Sequence, residues 1–265
     1  MSSKVEKRRN ELLSIVNIDG KAFISEAAKL FNVTNETIRN DFDYLVKTHG
    51  LKRIHGGIEK NIESAYQPSY EYHKKKAINV EEKKRICYKM TDVIQDGDCI
   101  YVDGGSTVTY LLNYIGKRHN VTLFTPSIAL LMKYMMEDLD ETFKSNGNEM
   151  IFIGGKLNTN MQTTYGPFFD QTVSDINFDK MIISCDAIDI KDGITNADEI
   201  AYDIVRKVDR QAKNKYLLVD ASKFGKRSKY RALPFNSIDY MISDIEPNIH
   251  WIKKISEESI SFIQA

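Results

Sequence analysis

Two different patterns of apolar and polar residues divide the chain. Up to about residue 60, apolar residues recur three or four positions apart, which predicts short amphipathic helices. From Glu81 onward, short and nearly continuous apolar runs alternate with amphipathic stretches. This alternation is typical of an α/β domain with a mostly parallel sheet, whose strands are buried on both faces. The predicted strands are residues 99–102, 121–124, 150–153, 180–184, 216–219 and 239–243.

The first short helix near the N-terminus is predicted to begin at Ser25, whose hydroxyl can cap it. Ala27, Ala28 and Phe31 form its apolar face, and Asn32-Val33 ends it.

A second helix follows directly, and Thr34 can cap it. Its buried stripe is predicted from three residues at positions i, i+4 and i+7: Ile38, Phe42 and Leu45. The opposite side of its first turns is polar and presents Asn35, Glu36, Thr37, Arg39 and Asn40. A recognition helix reads the DNA major groove with such N-terminal side chains, and Arg and Asn can bind guanine and adenine edges. The alternative is a helical hairpin with a merely polar surface.

Residues on both sides of this helix pair favour DNA binding. An upstream helix that packs under the pair is predicted from Arg8, Leu12, Ile15 and Val16. Downstream, residues 49–60 alternate in character and close at Gly56-Gly57, which predicts the hairpin of a winged helix-turn-helix. Three basic side chains of this wing are expected on phosphate or in the minor groove: Lys52, Arg53 and His55.

The N-terminal pattern resembles the DNA-binding domain of the DeoR family of bacterial transcription regulators. The residues that carry the resemblance are Arg8…Leu12…Val16…Thr34-x-x-Thr37-Ile38-Arg39-Asn40-Asp41-Phe42, followed by LKRIHGG. The resemblance covers about the first 60 residues. It implies double-stranded operator DNA as a partner and a repressor as the function. Members usually carry Arg or Lys where this chain has Asn40, a departure that concerns the operator sequence.

The length of 265 residues predicts about two domains. We expect a DNA-binding domain at 1–60, a polar, lysine-rich linker with a short helical piece at 61–76, and an effector domain at 77–265. The net charge is zero, yet residues 1–76 contain 14 Lys and Arg against 10 Asp and Glu. Because this positive excess is small, tight operator binding requires two or more DNA-binding arms, as in a dimer or tetramer.

Cysteine content and hydropathy exclude several classes of protein. Cys87, Cys99 and Cys185 lie far apart without a CxxC pair, so neither a disulfide framework nor a zinc site is predicted, and no cofactor is expected. Each lies in an apolar run and is expected to be a small buried residue. No apolar stretch approaches about 18 residues and the N-terminus lacks an apolar signal core, which predicts a cytoplasmic protein without a membrane partner.

The helices of the effector domain are predicted between its strands. Residues 82–98 form an amphipathic helix that ends at Gly97, with four residues inward: Ile86, Met90, Val93 and Ile94. Further helices are expected at 107–116, 127–138 and 197–213, and a last helix or strand follows Trp251.

Polar residues follow successive predicted strands, at the edge where open parallel sheets bind ligands. The candidate ligand-binding residues in chain order are Asp103, Gly105, Ser106, Thr107, Thr125, Ser127, Gly155, Lys156, Asp186 and Lys223. Glycine allows a close backbone approach, hydroxyls and a helix N-terminus favour an anion, and a lysine adds positive charge. Carboxylates suit sugar hydroxyls, so the set predicts a site for a phosphorylated polyol. The alternatives are an ordinary strand-to-helix turn and a solvated loop.

A second resemblance agrees with this site. Two segments are similar to ribose-5-phosphate isomerase and related sugar-phosphate isomerases. The phosphate-binding elements of these enzymes resemble DGGSTVTYLLNYI together with TPS, and their Asp-x-Ser-Lys segment resembles VDASKFG followed by LPF. The same elements occur in the DeoR effector domain, so both resemblances concern residues 77–250. The isomerase motif Asp-Gly-Ala-Asp-Glu appears here as Asp186-Ala187-Ile188-Asp189-Ile190, without its final acid. The stretch with the catalytic lysine is unmatched, and Glu199 matches an enzyme carboxylate only loosely.

Two functions therefore stand against each other: a transcription regulator controlled by a sugar phosphate, and an isomerase with an accessory N-terminal domain. A winged helix-turn-helix serves no purpose in an isomerase, and proton transfer requires a complete acid–base set. The sequence favours the regulator.

Overall fold

The computed structural model describes residues 3–49, 51–59 and 70–265, and the chain forms two compact units, Met1–Gln67 and Pro68–Ala265. Most of the predicted linker lies outside the described residues. Its last seven residues form helix Tyr70–Lys76, which belongs to the second unit. The domain boundaries given above stay a prediction.

The first unit has the elements of a winged helix-turn-helix. Its helices are Ser3–Asp19, Ile24–Phe31 and Asn35–His49. Its strands are β1 (Lys21–Phe23), β2 (Lys52–Ile54) and β3 (Gly57–Glu59), which form an antiparallel sheet in the order β1-β3-β2. The core contains the residues that the helical pattern predicted to be buried, among them Leu12, Val16, Ile38, Phe42 and Leu45.

The predicted cap at Ser25 is wrong. The helix already begins at Ile24, its N-cap residue is Phe23, and no side chain caps it. Strand β1 runs straight into this helix, and the Ile24 N–H donates to the Gly56 carbonyl of the wing at 2.8 Å. The hairpin therefore satisfies one of the backbone donors that the start of a helix leaves without an intrahelical partner.

The break and the second cap occur where they were predicted. Asn32 adopts the left-handed conformation, with φ 50° and ψ 51°, and ends the first helix of the pair. The Thr37 N–H donates to Thr34 Oγ1 at 3.2 Å, which is the expected N-cap contact.

The second unit contains a seven-stranded, entirely parallel sheet in the order β15-β14-β12-β9-β4-β5-β6. These strands are β4 (Cys99–Val102), β5 (Thr122–Thr125), β6 (Glu149–Phe152), β9 (Phe178–Ile183), β12 (Ala212–Leu218), β14 (Tyr240–Ser243) and β15 (Ser261–Gln264). All six predicted strands are present, which confirms the predicted fold class. The end of the chain forms a helix and then β15.

Both faces of this sheet are covered. Tyr101 and Leu217 belong to one buried apolar cluster, whereas Ile100, Ile182 and Leu218 belong to the other. Neighbouring residues of a strand thus enter different cores, which explains why the strands appear as continuous apolar runs in the sequence.

The helices of the second unit are Tyr70–Lys76, Val80–Met90, Leu112–Ile115, Ile128–Met136, Asp140–Ser145, Pro167–Ser174, Glu199–Asp209 and Ile249–Glu257. Short 3-10 helices span Val108–Leu111, Ala221–Lys223 and Phe235–Ser237. None of the helices in the described part of the chain combines the length and apolar character that crossing a membrane requires.

The helix predicted over 82–98 is too long, because it ends at Met90. The Thr91 hydroxyl donates to the Tyr88 carbonyl at 2.6 Å, and Asp98 accepts from the Gln95 N–H at 2.6 Å. Both side chains bond locally to backbone and turn the chain, while Ile94 stays buried.

Two small sheets were not predicted. One is a hairpin of β7 (Lys156–Asn158) and β8 (Thr163–Tyr165). The other combines β10 (Ala187–Asp189), β11 (Gly193–Asn196) and β13 (Tyr230–Leu233). Strands of three or four residues are too short to produce a period that distinguishes them from loops.

Candidate functional site

Helix Asn35–His49 presents a polar face in its first turns. Asn35, Arg39 and Asn40 are exposed. Thr37 is half-buried, and its hydroxyl lies 2.9 Å from Thr34 Oγ1. The Arg39 guanidinium contacts Glu36 at 3.1 Å, but both side chains are more than half exposed. Such a pair is weak and leaves the guanidinium available for an anionic or acceptor-rich partner.

A buried carboxylate in this helix was missed by the sequence interpretation. Asp41 is 2% exposed and accepts from Arg8 Nε at 2.6 Å and Arg9 Nε at 2.7 Å. Two arginines thus join helix Ser3–Asp19 to the helix that carries the polar face. The position beside Phe42, on the buried side of the helix, is the sequence signal that could have revealed Asp41.

The three basic residues of the wing differ in their surroundings. The side chain of Lys52 is 66% exposed, and His55 is exposed in the turn. Arg53 instead turns toward helix Asn35–His49, where its Nε lies 3.1 Å from Asp43 Oδ1 and its Nη2 donates to the Arg39 carbonyl at 3.0 Å. The predicted DNA contacts of these residues stay predictions, and for Arg53 the structure adds an internal role.

Gly57 fixes how closely the wing approaches β1. Gly56 has a positive φ of 75° in the turn, whereas Gly57 is the first residue of β3. A Cβ at Gly57 would lie 2.3 Å from the Ala22 carbonyl oxygen. Only glycine therefore allows β1 and β3 to pair here.

A cavity in the second unit opens at the carboxyl ends of three adjacent strands, β4, β9 and β12. Its lining includes six of the ten predicted ligand-binding residues: Asp103, Gly105, Ser106, Thr107, Asp186 and Lys223. The sequence interpretation did not select the other polar residues of this lining, which include Tyr72, Lys75, Thr163, Ser184 and Asn196.

The remaining four predicted residues are not brought to this cavity. The Thr125 hydroxyl accepts from the Ser127 N–H at 3.1 Å, and Ser127 caps helix Ile128–Met136 through the Leu130 N–H at 3.2 Å. Gly155 and Lys156 follow β6, the edge strand, which lies two strands away from β4. Their predicted contacts with an effector therefore have no support from the geometry.

Gly105 allows the loop after β4 to approach the loop after β9. A Cβ at this position would lie 1.9 Å from Ser184 Oγ. A larger residue would therefore require the Ser184 hydroxyl to turn away or the two loops to separate.

Two carboxylates, Asp103 and Asp186, face this cavity. Burial, together with the charge of Asp186, raises the pKa of Asp103 to about 6, although backbone hydrogen bonds from Gly104 and Ser184 act in the other direction. Asp186 accepts from Lys75 Nζ at 2.5 Å and from the Ala197 N–H at 2.8 Å. These oxygens can accept hydrogen bonds from the hydroxyls of a polyol.

Three lysines lie at or beside this cavity: Lys75, Lys83 and Lys223. Lys83 is 2% exposed, and its Nζ donates to the Lys75 carbonyl and, at 3.3 Å, to Ser106 Oγ. Burial lowers the pKa of the Lys83 amine to about 8. Within the described part of the chain, Lys223 makes no side-chain hydrogen bond or ion pair. An amine at a cavity wall that forms no direct ion pair is suited to bind an anion, even though its charge also acts on Asp220.

Asp220 holds the segment that carries Lys223. It is 1% exposed and accepts from Asn79 Nδ2 at 2.9 Å and from the Ser222 N–H at 3.0 Å. Burial alone would raise the pKa of Asp220, yet a hydrogen bond from the Ser222 hydroxyl, the two bonds above and the charge of Lys223 leave it below its usual value.

A wider cleft exists elsewhere in this unit, but its chemistry is less specific. It lies where helix Glu199–Asp209 ends and β12 begins, at the amino end of that strand. Arg231 pairs with Asp192 there, and Lys254 pairs with Glu258. Arg206 and Arg210 also line this cleft and, among the described residues, form no ion pair with its acids, so it is basic. The cavity at the carboxyl ends is the better candidate because open parallel sheets bind ligands at that edge.

None of the groups of His, Cys, Asp and Glu within the described residues is suited to hold a metal ion. Cys87 is buried and donates to the Thr107 carbonyl, whereas Cys99 and Cys185 are half-buried. All three are free thiols in the structure.

Both units match families of known proteins. A family model described as the DeoR-like helix-turn-helix domain matches residues 8–63, and one described as the DeoR C terminal sensor domain matches residues 78–245.

Relatives that span most of the chain have names of transcription regulators. The chain is 24% identical over 236 residues to the HTH-type transcriptional regulator IolR of Bacillus subtilis, covering 89% of this chain and 90% of the relative. It is 29% identical to the lactose phosphotransferase system repressor of Staphylococcus epidermidis, covering 83% and 84%. It is 28% identical to the L-fucose operon activator of Haemophilus influenzae, covering 89% and 91%.

Proposed function

The chain belongs to the DeoR family of helix-turn-helix transcription regulators, and from this premise we propose that it represses a carbohydrate-utilisation operon and responds to a phosphorylated sugar. The observation that carries the proposal is the cavity at the ends of β4, β9 and β12. It combines the unpaired amine of Lys223 with the hydroxyls of Ser106 and Thr107 and the carboxylates of Asp103 and Asp186.

The effector class follows from which of these groups donate hydrogen bonds and which accept them. A phosphate group needs hydrogen-bond donors and positive charge, which Ser106, Thr107 and Lys223 supply. Sugar hydroxyls donate hydrogen bonds, and the two carboxylates accept them.

Repression is the simpler outcome of operator binding, because a protein bound at a promoter excludes other proteins from that DNA. The printed names of relatives include both repressors and an activator. The direction of control is therefore tested directly: a reporter under the native promoter is measured with and without this protein. Higher expression in its presence would contradict repression.

We infer that the cavity binds its ligand without turnover. Asp189, in the degenerate isomerase motif, is engaged elsewhere, because it accepts from the Lys191 N–H at 2.9 Å and the Asp192 N–H at 3.1 Å. Glu199 is exposed at the start of its helix and does not line the cavity. Incubation with pentose and hexose phosphates, followed by NMR, tests this. Any isomerised product would favour the second candidate, an isomerase with an accessory DNA-binding domain.

We further propose that exposed side chains of the first unit contact double-stranded operator DNA. Asn35, Arg39 and Asn40 would read base edges, and Thr37 would support the first turn. Three wing residues would contact backbone phosphate or the minor groove: Lys52, Arg53 and His55. Because one recognition helix reads only a few base pairs, the protein would act as a homodimer or larger homo-oligomer.

The effector is sought by a thermal-shift screen with ribose 5-phosphate, glucose 6-phosphate, fructose 1-phosphate, fructose 6-phosphate and galactose 6-phosphate, each beside its unphosphorylated sugar. A ligand at about 100 times its Kd stabilises the folded state by about 2.7 kcal/mol. We expect at least one phosphate to raise the Tm while its parent sugar does not. An equal response to sugar and sugar phosphate would contradict the proposed phosphate contacts.

A further inference from the structure

Helix Tyr70–Lys76 contributes to the wall of the candidate effector cavity. Tyr72 and Lys75 both line it. Tyr72 is 2% exposed, and its hydroxyl lies 2.6 Å from Thr109 Oγ1. The Tyr110 hydroxyl donates to the Lys76 carbonyl at 3.3 Å. The helix is thus anchored on residues that follow β4, beside the predicted phosphate loop.

Lys75 is joined to two residues of the cavity through two different atoms. Its amine lies 2.5 Å from Asp186 Oδ1, and the two side chains are 26% and 17% exposed. The Lys75 carbonyl accepts from Lys83 Nζ. The Lys83 amine also donates to Ser106 Oγ at 3.3 Å. One residue of this helix therefore contacts the carboxylate proposed to bind sugar hydroxyls and is bridged to the proposed phosphate loop.

We propose, on the basis of the sugar-phosphate function above, that Lys75 binds the phosphate of the effector and that this contact replaces its ion pair with Asp186. A phosphate monoester carries a charge of about −1.5 to −2 at pH 7 and three acceptor oxygens, so it attracts an amine more strongly than one carboxylate does. Asp186 keeps hydrogen-bond donors after the exchange, because the Ala197 N–H still donates to it and the sugar hydroxyls add further donors.

The position of Lys75 in the chain gives this exchange a regulatory consequence. Helix Tyr70–Lys76 follows the DNA-binding unit and precedes the rest of the sensor. A residue that changes partner on ligand binding thus lies in the second unit, close in sequence to its boundary with the DNA-binding unit. A ligand alters an equilibrium only through contacts that differ between two states, and Lys75 supplies such a difference.

Full-length Lys75→Gln and Lys75→Arg are compared with the wild type, and Lys74→Gln is the matched control, because Lys74 is an exposed residue of the same helix that does not line the cavity. Operator affinity is measured with and without the member of the sugar-phosphate panel that most stabilises the wild type, at a concentration that saturates each variant by thermal shift. Hydrogen exchange of residues 70–77 is followed without ligand.

We expect Lys75→Gln to bind this ligand about tenfold more weakly. At saturation its operator affinity should change by less than about twofold, while Lys75→Arg and Lys74→Gln respond as the wild type does. Without ligand, the helix amides of Lys75→Gln should exchange about fivefold faster than those of the wild type, since an anchor is lost.

The experiment distinguishes failure of the proposed role of Lys75 from failure of the proposed function. A Lys75→Gln protein that keeps the full operator response, or that exchanges its helix amides at the wild-type rate, overturns the role of Lys75 and leaves the proposed function intact. If no member of the panel stabilises the wild type, the proposed effector class is wrong, and the inference falls with it.

Discussion

At the scale of single residues, Asp41 and Asp43 offer a sharp comparison within one helix. Asp41 is buried between Arg8 and Arg9, whereas the carboxylate of Asp43, which pairs with Arg53, is 59% exposed. Removing one partner of a buried ion pair costs about 3–5 kcal/mol, and an exposed pair contributes less than about 1 kcal/mol.

We therefore expect Asp41→Ala to lower the local free energy of unfolding of helix Asn35–His49 by about 3 kcal/mol and Asp43→Ala by less than about 1 kcal/mol. Native-state hydrogen exchange of the buried helix amides in the full chain measures both values. Equal effects of the two substitutions would show that burial of Asp41 does not determine its contribution.

Asp103 predicts a pH dependence of stability. Its pKa is raised from an unfolded value of 3.8 to about 6, so the folded state binds more protons between these values and stability falls as the pH rises through this window. Asn at this position carries no charge and can still accept from the Gly104 and Ser184 backbone. We expect Asp103→Asn to be more stable than the wild type by about 1–3 kcal/mol at pH 7 and equal to it near pH 3, below the unfolded pKa. Thermal unfolding at half-unit pH steps tests this, and a stability gain that does not depend on pH would contradict it.

At the scale of elements, long periodic segments were predictable and short or locally bonded ones were not. Six strands of the large sheet were predicted, because burial on both faces makes each a continuous apolar run. Strand β10 has only three residues, and the turn after Met90 depends on side-chain contacts of Thr91 and Asp98.

The candidate site was predictable to the extent that strand order could be inferred from the sequence. Residues that follow a strand were identified correctly, but only those after β4, β9 and β12 converge, since these strands are neighbours. Thr125 is the last residue of β5 and Lys156 follows β6. Both strands lie on the far side of β4, so these residues lie outside the cavity. Lys75 comes from a helix before the sheet, and no strand-end argument could have found it.

The wing gives a prediction for one element. Arg53 holds the wing to helix Asn35–His49 through Asp43 and the Arg39 carbonyl, whereas Lys52 is exposed. We expect Lys52→Ala to weaken binding to all DNA sequences alike and to reduce the salt slope by about one. Arg53→Ala should in addition reduce the preference for operator over random DNA, because Arg39 loses its support. Binding isotherms on both DNAs at several salt concentrations separate the two cases, and identical behaviour of the variants would contradict the internal role of Arg53.

At the scale of the whole molecule, the modest positive charge of one DNA-binding arm predicts assembly of two or more chains on the operator. We expect sedimentation of the protein with operator DNA to show two or more chains per operator. A single chain bound tightly to its operator would contradict this expectation.

The central claim is that a sugar phosphate held by the cavity at the ends of β4, β9 and β12 controls operator binding. The most direct measurement is operator occupancy across a titration of the stabilising sugar phosphate, for wild type, Lys223→Ala and the control Lys226→Ala, whose side chain is exposed and does not line the cavity. Loss of the Lys223 amine removes a charge-assisted contact of about 1.5–3 kcal/mol, so the midpoint should move at least about tenfold higher, while ligand-free operator affinity is retained. An unchanged midpoint in Lys223→Ala, or an equal shift in Lys226→Ala, would contradict the account.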